Sequence, residues 1–119
     1  SDFVSLHCKV TKETEKIIGE KELFKMKKTA YLINTARGAL IDHEALFKAL
    51  KEKQIAGAAV DTFYYEPIAH DDPFLELDNF VITPHIGGAS VDVVKYQSKM
   101  ALESILAYAH GEEIPYRIV

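Results

Sequence analysis

Three short apolar runs in this chain each end in a different reactive group. Leu32-Ile33-Asn34-Thr35-Ala36 leads to Arg37-Gly38, Val60-Asp61-Thr62-Phe63-Tyr64-Tyr65 leads to Glu66-Pro67, and Ile82-Thr83-Pro84 leads to His85-Ile86-Gly87-Gly88. A guanidinium such as Arg37 grips a planar carboxylate through paired hydrogen bonds. An imidazole such as His85 titrates near neutrality and can give or take a proton. A carboxylate such as Glu66, bonded to one ring nitrogen, fixes the tautomer and favours the imidazolium. Gly87 and Gly88 would let backbone pass close to a ligand. Each group also has a plain reading. Arg37 suits a solvent-facing turn, Glu66 a loop acid, His85 the close of a strand, and Gly87-Gly88 a turn into a helix. Three strand ends that each deliver a different group favour the joint chemical reading.

The elements that would position these groups follow from periodicity and punctuation. Residues 3–7 read as a strand and Cys8 to Thr14 as a polar turn, followed by a helical turn or two over Glu20–Lys27 with Leu23, Phe24 and Met26. Tyr31-Leu32-Ile33 is a second strand ending at Asn34. Asp42 caps a helix through Lys51, with Leu46, Leu50 and Phe47 inward. Ala56 to Val60 is a third strand, of small residues, and Phe80 to Thr83 a fourth. Residues 67–79 read as a surface loop, with Pro67, Asp71, Asp72 and Pro73. Ser90 or Asp92 caps the longest helix, which runs to about Ala109 and stops at Gly111. Strands alternating with helical stretches predict an α/β fold, a parallel sheet flanked by helices. In such sheets ligands sit beyond the carboxyl ends of the strands, where Arg37, Asp61, Glu66 and His85 all fall.

Composition narrows the classes. The chain has 119 residues, enough for one domain at most, with 48% hydrophobic and 27% charged residues. Its formal net charge is -4 and its lysines are scattered, which argues against a nucleic-acid partner. No apolar run approaches the roughly 20 residues needed to cross a bilayer. The single cysteine, Cys8, excludes an internal disulfide and fits a reducing, cytoplasmic setting. It reads as a small buried residue rather than a nucleophile. No C-x-x-C or H-x-x-x-H spacing supports a metal site, so none is expected.

The segment Asn34-Thr35-Ala36-Arg37-Gly38, the step of 24 residues to Asp61 and five more to Glu66, and Thr83-Pro84-His85-Ile86-Gly87-Gly88-Ala89-Ser90 together resemble the D-isomer-specific 2-hydroxyacid dehydrogenases. The resemblance covers residues 2–115 and matches the second half of that family's nicotinamide-binding domain. It implies a partial Rossmann-like sheet, truncated at its N-terminal side. It further implies hydride transfer between NAD, or NADP, and a small 2-oxo or 2-hydroxy acid. In that reading Arg37 binds the substrate carboxylate, His85 donates or accepts the proton, and Glu66 pairs with His85. Asp61 would hydrogen-bond the nicotinamide carboxamide. Backbone around Cys8, Thr35 and Ala36, and the Gly87-Gly88 turn, would line the dinucleotide.

The sequence also departs from the family. Lys9-Val10 stand where members commonly have proline and leucine after the position of Cys8. No Gly-x-Gly-x-x-Gly occurs, although that loop normally seats the pyrophosphate at a helix N-terminus. The acid that reads the adenosine ribose is missing too, so NAD and NADP are not distinguished. The Gly-rich half and the substrate domain are therefore expected outside this chain, which reads as a fragment inactive by itself. The longer protein is expected to be a homodimer. The alternatives are a dinucleotide-binding regulatory, corepressor-like protein and an inactive structural remnant. The last helix carries Val93, Val94, Met100, Ala101, Ile105 and Tyr108 along one side. That stripe is expected to be domain core, or exposed if the element it covers lies elsewhere.

Overall fold

The computed structural model describes residues 1–117. It divides into two compact units, Ser1–His85 and Ile86–Val119. The first unit holds a four-stranded sheet of β1 (Phe3–Leu6), β2 (Tyr31–Asn34), β3 (Gly57–Val60) and β4 (Phe80–Ile82). All neighbours are parallel and the spatial order follows the chain, β1-β2-β3-β4. The register aligns Leu6, Asn34 and Val60, and then Val60 with Ile82, so the four strands finish level with one another.

Side chains alternate across the sheet because strands have a period of two. Val4, Leu6, Leu32, Asn34, Ala58, Val60, Phe80 and Ile82 share one face, and all but Asn34 belong to the apolar core or pack against it. Two helices supply the other side of that core, α1 (Glu20–Leu23) through Leu23 and α2 (His43–Lys51) through Leu46, Ala49 and Leu50. The helix α2 starts where the sequence predicts. Asp42 is its cap and accepts a hydrogen bond from the Ala45 amide at 3.2 Å. The opposite sheet face carries Phe3 stacked on Tyr31 at 5.7 Å, and both rings stay exposed. Glycine at position 57 lets that ring lie flat, since a Cβ there would stand 3.1 Å from Tyr31 and 2.8 Å from the Asn79 carbonyl oxygen.

Two expectations are corrected in this unit. Cys8 is exposed, not buried, because β1 ends at Leu6 and the chain leaves the sheet before reaching it. Residues 67–79 are not only a surface loop. They contain a 3-10 turn, Pro73–Glu76, that buries Phe74 against Phe47, Phe63 and Phe80 at 5.2, 5.2 and 4.8 Å.

The second unit is α3 (Val91–His110) with the tail that follows it. Ser90, the first of the two expected caps, accepts from the Val93 amide at 3.1 Å. Asp92 sits instead in the first turn, where its charge complements the helix dipole. Gly111 closes the helix in the left-handed conformation, φ 69°. The tail returns along the helix: Ser104 donates to the Pro115 carbonyl and the Tyr116 hydroxyl donates to Glu103. The apolar stripe is not core here. Val94, Met100, Ile105 and Tyr108 are exposed, and only Ala107 of the helix is buried.

Candidate functional site

Asn34 sets the first corner of the site. It is fully buried at the end of β2, where its side chain accepts from the Ala36 amide at 3.0 Å and donates to the Arg37 carbonyl at 2.8 Å. The chain is thereby folded around one side chain, as short amides do at turns. Thr35 and Arg37 are exposed, and Ala36 is partly buried. Arg37 donates to the Ala36 carbonyl at 2.7 Å and opens a 3-10 turn over Gly38–Leu40.

The second corner is Asp61, which is buried just past β3. Its amide donates to the Asn34 carbonyl and its carbonyl accepts from the His85 amide, both at 2.9 Å. Its carboxylate accepts from the Thr83 hydroxyl at 2.5 Å. Asp61 therefore joins the ends of β2, β3 and β4.

Glu66 and His85 form the centre. Glu66 Oε2 and His85 Nδ1 are 2.8 Å apart, while Glu66 Oε1 accepts from the Phe63 amide at 2.8 Å. The His85 bond foremost, then the Phe63 amide, holds the Glu66 carboxyl below its ordinary range, against an upward push from desolvation and the charge of Asp61. His85 adopts φ 55°, a left-handed conformation in which histidine is over-represented among non-glycine residues.

Arg37, Glu66 and His85 line one cleft of about 320 Å³, together with Val10, Thr62 and Tyr64. Three groups from three strand ends thus meet in one place. Cys8, Ala36 and Arg37 line an adjoining cavity of about 500 Å³ with His7, Lys9 and Val10. An apolar cavity of about 430 Å³, walled by Phe63, Pro67, Ile68, Ile82 and Pro84, also touches Glu66 and His85. Gly87 and Gly88 fall in the second unit. Among the described residues, a Cβ at Gly88 would meet no heavy atom within 4 Å beyond its neighbours in sequence. No cluster of metal-ligating side chains occurs among the described residues, and none of their helices is long and apolar enough to cross a membrane.

The motif reading does not include the roles of Asn34 or Thr83. An asparagine at a strand end three residues before an arginine is a local turn signal. The Thr83–Asp61 bond has no local signal, since it depends on how β3 and β4 pair.

A parallel sheet that presents an arginine, an acid and an acid-paired histidine beyond its carboxyl edge has the build of a dinucleotide-binding α/β domain. Residues 1–87 match the family model for the D-isomer specific 2-hydroxyacid dehydrogenase, NAD binding domain. The chain belongs to that family. It is 50% identical to a glyoxylate reductase of Korarchaeum cryptofilum over 100% of this chain and 36% of that protein. Among solved structures it is similar to the TT0316 protein of Thermus thermophilus, at 43% identity and a TM-score of 0.89, over 100% of this chain and 38% of that one. It is likewise similar to D-lactate dehydrogenase with NAD+ from Lactobacillus jensenii, at 33% identity and a TM-score of 0.87, over 100% and 40% of the two chains. The chain spans about a third of the length of the curated relatives it matches.

Proposed function

We propose that this chain is the second part of the dinucleotide-binding domain of an oxidoreductase acting on 2-oxo and 2-hydroxy acids. The observation that carries the reading is the convergence of Arg37, Glu66 and His85 on one cleft, with Glu66 and His85 at 2.8 Å. Arg37 would bind the substrate carboxylate through its fork of N–H donors. His85, with Nδ1 held by Glu66, would use its other nitrogen to give a proton to the carbonyl oxygen in reduction and to take one from the hydroxyl in oxidation. Glu66 would keep the ring oriented and stabilise the imidazolium form.

NAD is the expected cofactor, with NADP as the alternative. It would supply or accept the hydride at the substrate carbon. Residues around Cys8, Thr35 and Ala36, and the Gly87-Gly88 turn, would line it. The cavity beside Cys8 and Ala36, past the carboxyl ends of β1 and β2, supports this placement. Asp61 would accept from the carboxamide. A carboxylate offers about four acceptor positions, so its bond to Thr83 is compatible with that role. The Gly-rich phosphate loop and the substrate domain would come from outside these 119 residues, which contain no Gly-x-Gly-x-x-Gly. A cytoplasmic homodimer, with neither nucleic acid nor membrane as partner, completes the reading. The net charge of -4 supports the absence of a nucleic-acid partner.

The test is NADH and NADPH oxidation against a panel of 2-oxo acids, using the protein that carries this chain at the length of its relatives. Turnover should depend on the 2-oxo acid and fall on the order of 10²–10⁴-fold in His85→Ala. Arg37→Ala should chiefly impair recognition of the acid. Turnover that survives the Arg37, Glu66 and His85 replacements across pH would refute the assignment.

A further inference from the structure

We propose that Tyr64 is a positioning residue for the Glu66–His85 pair, held by the ring of His43 and acting through the turn on which Glu66 sits. This rests on the reading of His85 as the proton-transfer group. His43 is the first residue of α2, and its ring stacks on Tyr64 with centroids 4.6 Å apart and planes 18° from parallel. The Nδ1 atom of His43 is buried and has no hydrogen-bond partner among the described residues, so the ring is held by packing. The pair is not a core contact in the ordinary sense. The core aromatics Phe63, Phe74 and Phe80 pack on one another, whereas Tyr64 is 49% exposed and stands in the wall of the cleft beside Arg37, Glu66 and His85.

The turn explains what such a ring can do there. Tyr64 lies between Phe63, whose amide holds Glu66 Oε1, and Glu66 itself, whose Oε2 meets His85. Any swing of residues 63–66 therefore moves both contacts of the Glu66 carboxylate. The Phe63 ring anchors one end of the turn in the core, and the Tyr65 hydroxyl donates to the buried Asp72. Tyr64 adds the tie to the start of α2, directly after the segment that carries Arg37. The stack thus couples the two loops whose functional groups must share one substrate.

The experiment is a ¹³C titration of the Glu66 carboxyl in the 119-residue chain. The variants are Tyr64→Phe, Tyr64→Ala, His43→Leu, the Tyr64→Ala/His43→Leu double and, as reference, His85→Gln. Asp61, whose charge opposes ionisation of Glu66, is left in place in every variant. Tyr64→Phe keeps the stack and should leave the titration where it is. Tyr64→Ala and His43→Leu should each move it up toward the His85→Gln position, with the double moving it no further than either single. A normal titration in Tyr64→Ala, with a raised one in His85→Gln, would leave the pair intact and overturn the role of Tyr64. No rise in His85→Gln would remove the pair itself and this inference with it. Should Tyr64→Ala not fold, His43→Leu decides, since an unmoved titration there equally overturns the proposal.

Discussion

Gly38 lies against the backbone of Phe63 so closely that a Cβ on it would stand 2.1 Å from the Phe63 carbonyl oxygen and 2.6 Å from the Tyr64 nitrogen. Both obstacles are main-chain atoms, which no side-chain rotation can clear. The absence of a side chain is what lets the loop after Arg37 rest on the turn before Glu66. Gly38→Ala should therefore push the two loops apart and lower unfolding free energy by about 1–3 kcal/mol or more, as overpacking does. Urea denaturation measures the loss, and amide shifts should change at both Arg37 and residues 63–66. An unaltered midpoint would mean the contact is looser than described.

Asn34 should be equally hard to replace, for a different reason. Its side chain satisfies the Ala36 amide and the Arg37 carbonyl from a fully buried position. Asn34→Ala removes both bonds at once and leaves polar backbone short of partners, at a cost of about 1–3 kcal/mol. Asn34→Asp keeps the acceptor for Ala36 but loses the donor to Arg37, so it should also destabilise. Thermal unfolding of the two variants beside wild type checks this. Equal stability in Asn34→Ala would show that water substitutes fully for the amide.

The regular elements were legible because their signals are local. Asp42, Ser90 and Gly111 mark helix ends within a few residues of the apolar periodicity they bound, and all three act as caps. The parallel sheet followed from alternation of strands and helices. The convergence of Arg37, Glu66 and His85 followed from strand ends that finish in register. What the sequence could not display are contacts between distant segments. The Thr83–Asp61 bond needs the pairing of β3 with β4, and the His43–Tyr64 stack needs α2 to meet the turn after β3. Cys8 looked like a core residue by type, but its exposure is set by where β1 ends.

Acid should weaken the fold partly through Glu66 and Asp42. Glu66 is held below its ordinary range first by His85 and then by the Phe63 amide, and Asp42 first by the Ala45 amide and then by Lys16. A carboxyl that binds its proton less readily folded than unfolded stabilises the fold above the unfolded value, about 4 for such groups. That contribution disappears as pH falls through the lowered folded value. Urea midpoints should thus drop as pH falls from about 5 through the unfolded value and on through the lowered folded values, and the drop should be shallower in Glu66→Gln and in Asp42→Asn. Curves parallel to wild type in both variants would show that other groups govern the acid limb.

Phe74 should be the most costly side chain in the stretch between β3 and β4. Asp72 caps the turn that carries it by accepting from the Phe74 amide at 2.9 Å, and Pro73 occupies the first position, where a missing N–H does no harm. The ring is 3% exposed and meets Phe47, Phe63 and Phe80. It packs directly on the ring of the residue whose amide holds Glu66. Phe74→Ala should cost about 3–5 kcal/mol through the cavity it leaves, whereas Leu75→Ala, at a side chain 46% exposed, should stay within about 1 kcal/mol. Phe74→Leu, which keeps most of the apolar volume, should fall between them. Because the ring lies under the turn, Phe74→Ala should also raise the Glu66 titration, and Leu75→Ala should not. A Phe74→Ala protein as stable as Leu75→Ala would mean the 3-10 turn does not reach the core in solution.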